Sequence, residues 1–289
     1  MRVACLLMQK NERRLLEPWI AYHSALFGLE NLFVFDNGSV DPVVIEILEL
    51  YRARGLNVDY SFHTRADFEG KGSVIARTIQ NLDAGEAPCD FYFPLDCDEF
   101  VVVRDTDDGL VSGKTAVEQA LQPYLNDKRV LTVSSRYRNS PLHPDRYLPG
   151  ETNKCFFARG TCRSLDTGYH LGRAVDTDEQ VKTPIVYVEL RFRPYREYQF
   201  FARQKLRERV GEFTKSRLRA HKAARGAGNH LVDYVLMSQE EYLASFSDSG
   251  RVYFPELRRL LSDLGAPIDD AGEAYPLPEP IPEGGTAGT

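Results

Sequence analysis

Apolar runs of strand length recur through roughly the first hundred residues, and each is followed by a stretch whose apolar residues repeat at helical spacing. Val3 to Met8 is a continuous apolar run suited to a buried parallel strand, and Leu15 to Phe27 after it has the spacing of a helix. Asn31 to Phe35 is strand-like, and Val43 to Arg54 reads as a helix capped by Asp41 with Pro42 at its first position. Val58 to Phe62 is a third strand, Ser73 to Leu82 a helix and Phe91 to Leu95 a fourth strand. This β-α-β-α-β order predicts an α/β fold with an open, mostly parallel sheet and helices on both faces. Ligands of such sheets sit beyond the carboxyl ends of the strands. Polar residues follow three of these four strands at that end: Asn11 and Glu12, then Asp36 to Asp41, then Asp96 to Glu99.

The sharpest of these is Phe91-Tyr-Phe-Pro-Leu-Asp96-Cys-Asp98-Glu99-Phe100, where a buried strand ends in three carboxylates within four residues. Extended chain would put Asp96 and Asp98 on the same side. Clustered carboxylates repel, so water, basic groups or a divalent cation must compensate them. Oxygen ligands with open positions suit Mg²⁺ or Mn²⁺ holding a substrate diphosphate, against the blander reading of a solvated acidic turn.

Two further segments point the same way. In Val34-Phe-Asp36-Asn-Gly-Ser-Val-Asp41-Pro, the turn pair Asn37-Gly38 and the cap Asp41 explain a strand-to-helix connection. Asp36 lies at the strand's tip and could accept a hydrogen bond from a base or sugar edge. Phe68-Glu-Gly70-Lys71-Gly72-Ser73 precedes a helix containing Arg77, so glycine amides, a helix N-terminus and two cations could face a diphosphate. A GKG turn by itself is common.

Taken in order, these pieces resemble the glycosyltransferase-A fold of the inverting family 2 enzymes, and especially their family 92-like relatives. The matching segments are Lys10-Asn11-Glu12, Glu17-Pro-Trp19-Ile20-Ala-Tyr22-His23 with Phe27-Gly28-Leu29, Phe35-Asp36-Asn37-Gly38-Ser39-Val-Asp41, Gly72 to Arg77, and Leu95-Asp96-Cys-Asp98-Glu99-Phe100. The resemblance implies transfer of a sugar, with inversion, from a nucleotide-sugar donor such as a UDP-sugar to a hydroxyl on a glycan, lipid-linked or small-molecule acceptor, with Mn²⁺ or Mg²⁺ as cofactor. It implies that Asn11, Glu12 and Asp36 hold the nucleoside, that Asp96 lies by the ribose and diphosphate, and that Asp98 binds the cation directly. Lys71 and Arg77 fall at the diphosphate, although many relatives carry a different polar residue at the place of Arg77. His23 is placed in a structural stretch with Trp19, Tyr22 and Leu26, and reads as a core histidine.

Past Phe100 the match thins. Thr115 to Tyr124 reads as a helix, Val130 to Ser135 as a strand, and Arg136 to Pro149 as a long polar loop that, in enzymes of this fold, would be a candidate acceptor wall. Gly168-Tyr169-His170-Leu-Gly172 resembles the place where relatives position a histidine near the cation, so His170 is a candidate third ligand beside Asp98 and Asp96. The alternative is a histidine in an ordinary glycine-bounded turn. Inversion needs one base for the acceptor hydroxyl. Asp176, Asp178, Glu179 and Glu189 are candidates, with Glu189 first and Asp178 next. The blander reading of Glu189 is an ion pair with Arg191 or Arg193.

From Arg191 to Arg225 twelve Lys or Arg stand against Glu197, Glu208 and Glu212. Tyr198, Phe201, Ala202, Leu206, Val210 and Phe213 give this stretch one buried helical face. Its basic face reads as solvated, as a contact for diphosphate or an anionic acceptor, or as a peripheral membrane patch. Helices are expected over Asp233 to Phe246 and Pro255 to Leu264. The expected domains are a catalytic domain at 1–213, a C-terminal helical extension at 214–271 and a disordered tail at 272–289.

With 43% hydrophobic and 27% charged residues, the 289-residue chain can bury a full core. A net charge of −6 gives the whole protein no electrostatic reason to seek nucleic acid. Five cysteines without a CxxC pair predict free thiols in a reducing compartment. The N-terminal apolar run is too short for a signal peptide or a membrane span. A cytoplasmic protein, or one peripheral on the inner membrane face, is expected. Two rivals remain: a nucleotidyltransferase, which also pairs carboxylates around a metal, and a noncatalytic nucleotide-binding module. The nucleotidyltransferase would be expected to show a glycine-rich phosphate loop where Asn11, Glu12 and Asp36 stand.

Overall fold

The computed structural model describes residues 1–105, 109–246, 249–268, 270 and 275–284. In chain order the elements are β1 (Val3–Gln9), α1 (Leu16–Phe27), β2 (Leu32–Asp36), α2 (Pro42–Arg52), β3 (Asn57–Asp59), α3 (Arg65–Glu69), α4 (Lys71–Asp83), β4 (Phe91–Leu95), β5 (Glu99–Arg104), β6 (Leu110–Val111), α5 (Lys114–Leu121), β7 (Val130–Thr132) and β8 (Arg136–Arg138). There follow β9 (Arg146–Gly150), β10 (Cys155–Ala158), β11 (Cys162–Leu165), β12 (Gly172–Ala174), β13 (Gln180–Lys182), β14 (Ile185–Glu189), α6 (Tyr195–Val210), α7 (Lys215–Ala223), α8 (Leu231–Leu236), α9 (Gln239–Ala244), β15 (Val252–Tyr253) and α10 (Glu256–Asp263).

The main sheet has the order β13-β7-β10-β4-β1-β2-β3, and only the pairs made by β10 are antiparallel. This is the expected α/β class, a mixed and mostly parallel central sheet. Alternate residues of β1 supply its two faces. Val3, Cys5 and Leu7 join Trp19 and Ile20 of α1 and Val44 and Leu48 of α2, whereas Ala4, Leu6 and Met8 join Ile75, Ala76 and Ile79 of α4. Helices on both faces leave no polar position along β1, which is why its sequence is continuously apolar. His23 is fully buried, as expected: its Nδ1 lies 2.9 Å from the Trp19 carbonyl, and Nε2 accepts from the Val101 amide at 3.4 Å. Burial lowers its pKa to about 3, so the ring is a neutral core group.

A second sheet has the order β15-β9-β8-β14-β5-β6. The chain leaves the main sheet at Leu95 and enters the second at Glu99, so Asp96, Cys97 and Asp98 form the turn between the two. The chain does not stay extended there: the Glu99 amide donates back to the Asp96 carbonyl at 3.0 Å. The long loop expected over Arg136 to Pro149 is instead largely the antiparallel pair β8 and β9. Each strand buries one tyrosine, Tyr137 or Tyr147, beside exposed or half-buried arginines, too short an alternation to have marked it. The helix expected over Asp233 to Phe246 breaks at Ser238, whose hydroxyl and Glu241 form a reciprocal cap that starts a new helix.

The chain divides into two compact units, one of 1–139, 145–190 and 250–268, the other of 140–144, 191–249 and 269–289. The division falls after Leu190, not at 213, and α10 belongs to the first unit. In the second, Tyr198, Ala202 and Leu206 of α6 pack with Leu218, Val232, Val235, Tyr242 and Phe246. Of the tail expected to be disordered, 272–274 and 285–289 lie outside the described residues. Pro282 and Glu283 accept hydrogen bonds from the Lys215 and Ser216 amides at the start of α7. No described helix is long and apolar enough to cross a membrane.

Candidate functional site

The carboxyl end of β4 is where the charged groups of the first unit meet. Asp96 is clamped by two ammonium groups: Lys71 Nζ lies 2.6 Å from Oδ1 and Lys154 Nζ 2.6 Å from Oδ2. Lys71 begins α4, and Lys154 precedes β10, whose antiparallel course returns the chain to the end of β4. Lys154 also pairs with Glu99 at 2.9 Å. Both lysine heads sit over the buried ring of Tyr169, at 4.5 and 5.0 Å from its centroid, so cation–π attraction helps hold them. Gly72 serves packing: a Cβ there would lie 2.4 Å from the Leu165 and Asp166 carbonyl oxygens, so α4 could not approach that turn.

The three carboxyls of the turn differ in their hold on a proton. Burial alone would raise Asp96, yet Lys154 and Lys71 hold it well below the usual carboxylate range. Asp98 is pushed up to about 7 by burial and by Asp96, Glu189 and Glu12 around it, against partial relief from Lys154. Burial pushes Glu99 up to about 8, with Asp96 and Asp98 adding to it and Lys154 opposing. Asp96 is thus the most acidic of the three, because the two lysines hold its charge.

Glu189 comes to the same place through the second sheet. β14 pairs with β5 so that Glu189 lies opposite Glu99, and the Leu190 amide donates to the Asp98 carbonyl at 2.7 Å. Its cationic neighbours are Arg136 and Arg138 of β8, each with Nε 3.7 Å from Oε2, in place of the expected Arg191 or Arg193. Arg193 pairs with Glu197 at 2.6 Å. Asp178 is not brought in. It is exposed before β13, and β13 runs parallel to β7 at the sheet's edge, so Asp178 lies at the end of the sheet opposite to Asp96.

His170 closes a turn organised by Asp166, which accepts from the His170, Leu171 and Gly168 amides at 2.6, 2.7 and 3.1 Å. A Cβ on Gly168 would lie 2.6 Å from the imidazole Cδ2, so that glycine makes room for the ring. Burial and Lys154 lower the His170 pKa, against Asp166 and Asp96, and its Nδ1 is buried without a hydrogen-bond partner. The expected set of Asp98, Asp96 and His170 is nevertheless not assembled as a ligand cage. Among the described residues no group of three or more His, Cys, Asp or Glu side chains is arranged to hold a metal. Both oxygens of Asp96 are already claimed by ammonium groups. Of that set, His170 keeps a buried Nδ1 without a hydrogen-bond partner, a nitrogen that a cation could use.

The expected nucleoside residues hold the chain itself. Asp36 is buried and accepts from Gln9 Nε2 at 2.6 Å, the Ser39 amide at 2.9 Å and the Ser39 hydroxyl at 2.5 Å. Asn11 has φ of 55°, and its Oδ1 accepts from the Val40 and Asp41 amides at 2.8 and 3.0 Å, tying β1 to the cap of α2. Glu12 donates its amide to Gln9 and adds negative charge at Asp98. Arg77 is exposed, six residues along α4 from Lys71 and so about 9 Å down its axis. Gln9, Lys154, Tyr169, Arg136 and Arg138 carry parts of this arrangement that the sequence reading assigned to none of them individually. Lys154 stands beside an apolar run, but only the antiparallel return of β10 makes it a partner of Asp96.

No family profile matches the sequence, and no characterised protein matches it. Solved structures are similar at low identity. TarS of S. aureus is 13% identical, covering 50% of this chain and 43% of its own, at a TM-score of 0.32. The same protein in complex with UDP is 18% identical over 46% of this chain and 35% of its own, at 0.31. Glucosyl-3-phosphoglycerate synthase from Mycobacterium tuberculosis, solved with Mn²⁺ and uridine-diphosphate-glucose, is 18% identical over 46% of this chain and 43% of its own, at 0.28. The chain thus spans less than half the length of each of these structures, and what they bind is a property of those proteins.

Proposed function

We propose that the first unit is a glycosyltransferase acting on a nucleotide-sugar donor, a UDP-sugar, with a hydroxyl acceptor and inversion. The observation that carries the reading is the turn between the two sheets. It sets Asp96, Asp98 and Glu99 at the carboxyl end of β4, with Lys71, Lys154 and Glu189 around them. A leaving nucleoside diphosphate needs concentrated positive charge, and a hydroxyl acceptor needs a base.

Lys71 and Lys154 supply the charge. Each is held in a fixed position by Asp96 and the Tyr169 ring, so little reorganisation accompanies the departure of the diphosphate. Asp98 and His170 would hold Mn²⁺ or Mg²⁺, which supplies further charge to the diphosphate when bound. Glu189 is the candidate base: one oxygen is buried and has no hydrogen-bond partner, and Arg136 and Arg138 stand beside it. Asp36 and Asn11 shape the nucleoside end by fixing the β2–α2 turn.

The test is hydrolysis of a panel of nucleotide sugars by the full chain with Mn²⁺. Release of nucleoside diphosphate is expected. Release of pyrophosphate instead would establish a nucleotidyltransferase, and release of neither at high protein concentration would leave a nucleotide-binding module.

A further inference from the structure

We infer that the same site takes an acceptor bearing an anionic group, a phosphate or a carboxylate, seated on Arg136 with Arg138 beside it; the word acceptor rests on the transferase reading, the anion site does not. Arg136 and Arg138 are two apart on β8 and so share a face of the second sheet. The parallel register sets Arg138 beside Glu189, and Glu189 in turn lies opposite Glu99. A row of side chains therefore runs from the arginines across the candidate base to the acidic turn.

Neither guanidinium hydrogen-bonds Glu189, because 3.7 Å from each Nε to Oε2 gives attraction without a bond. Arg136 Nε and Glu189 Oε2 are both buried and lack a hydrogen-bond partner. Buried donors of a charged fork are normally paired, so the unpaired Arg136 Nε points to a group that arrives from outside. The two arginine side chains remain 29% and 31% exposed, enough for such a group to reach them.

Gly150 provides the space. It lies opposite Arg136 on β9, and a Cβ there would sit 3.4 Å from Arg138 Nη2 and 3.9 Å from Arg136 Nε. Its φ lies outside the positive region that calls for glycine, so what the absent side chain contributes is room over the guanidiniums. A planar fork accepts the two oxygens of a carboxylate or a phosphate side by side. An acceptor anchored in this way has a neighbouring carboxylate, Glu189, for its hydroxyl.

The experiment is calorimetric titration of the full chain with inorganic phosphate and, separately, with malonate, at constant ionic strength against sodium chloride. It is run on the wild type, Arg136→Gln, Arg136→Lys and Gly150→Val, each checked for fold by circular dichroism and a thermal melt. The wild type should bind one anion more tightly than the other, which identifies the acceptor group as phosphate or carboxylate. Arg136→Gln should weaken that binding by about tenfold or more, the loss of a charge-assisted hydrogen bond, with Arg136→Lys in between. Gly150→Val should weaken it with both arginines intact. Absence of binding by the wild type, or unchanged affinity in Arg136→Gln, overturns the inference. Should Arg136→Gln fail to fold, unchanged affinity in Gly150→Val overturns it. Failure of wild-type donor hydrolysis would instead sink the transferase reading and leave the anion titration as it stands.

Discussion

Asp98→Asn should stabilise the fold above neutral pH while removing metal-dependent activity, and the first of these effects can be worked from the structure. Burial, with Asp96, Glu189 and Glu12 nearby, raises the Asp98 carboxyl from an ordinary 3.8 to about 7. A raised folded-state value means that the folded protein holds this proton more tightly than the unfolded chain. The associated stability is present below about pH 4 and is lost as pH rises through 7. At 1.36 kcal/mol per pH unit the loss has a ceiling of about 4 kcal/mol. Asp98 is partly exposed, and solvent screening brings the expectation down to about 1–2 kcal/mol. For a unit of this size that is roughly 2–8 °C in Tm. The assay is thermal melting of both proteins from pH 5 to 8.5 in a chelator. The wild-type Tm should fall more steeply with pH, and the variant should melt higher at pH 8. Glu99 titrates in both proteins and loses the repulsion of Asp98 in the variant, so the difference between the curves reports Asp98 together with its coupling to Glu99. Added Mn²⁺ should recover the wild type alone, because the cation binds the deprotonated carboxylate. Parallel curves would refute the electrostatic account of the turn, and near wild-type turnover of Asp98→Asn with saturating Mn²⁺ would refute the cation assignment.

Other outcomes follow from individual contacts. Gly72→Ala puts a methyl 2.4 Å from two backbone carbonyl oxygens and should cost about 1–3 kcal/mol, read as a lower Tm; an unchanged melt would contradict the packing role. Asp36→Ala removes the acceptor of the Ser39 amide and leaves the buried Gln9 amide with the Ser39 hydroxyl alone, and should cost on the order of 1–3 kcal/mol in urea denaturation. Weaker donor affinity with unchanged stability would instead make Asp36 a direct nucleoside ligand. His170→Ala should raise the Mn²⁺ concentration for half-maximal activity about 10 to 100-fold. Because burial lowers this imidazole, the wild-type acid limb should lie below the ordinary histidine value of 6.5 and be absent from the variant.

Much of the main sheet was legible because its strands are buried on two faces and its helices on one. Those constraints write continuous apolar runs and a 3.6-residue period into the sequence, and β1, α1, β2, α2 and β4 all fall within a few residues of expectation. The helix over Lys71–Asp83 begins two residues before the expected Ser73, and that difference matters. Lys71 is a first-turn residue aimed at Asp96, which periodicity of apolar residues could not reveal. β8 and β9 read as loop because each is short and buries a single tyrosine, Tyr137 or Tyr147, among arginines and other polar positions, too few apolar residues to show a period of two.

The acidic turn shows why the carboxylates were readable and their charge balance was not. Asp96, Asp98 and Glu99 are adjacent in sequence, so the need for compensation was visible from the residues alone. What compensates them comes from 25 residues before and 58 after Asp96, through Lys71 and Lys154. Two lysines on one carboxylate change the chemistry that the motif suggests. Asp96 is occupied in holding the two ammonium groups in place, so in the proposed reading a cation would fall to Asp98. In the proposed transfer, the positive charge offered to a departing diphosphate would then be partly built into the chain. Removing Asp96 would accordingly take the carboxylate partner from buried Lys71 and leave Lys154 with Glu99 alone, disturbing the fold, whereas removing Asp98 relieves repulsion. The two aspartates of one short motif thus have opposite effects on stability, set by partners that only the sheet topology brings together.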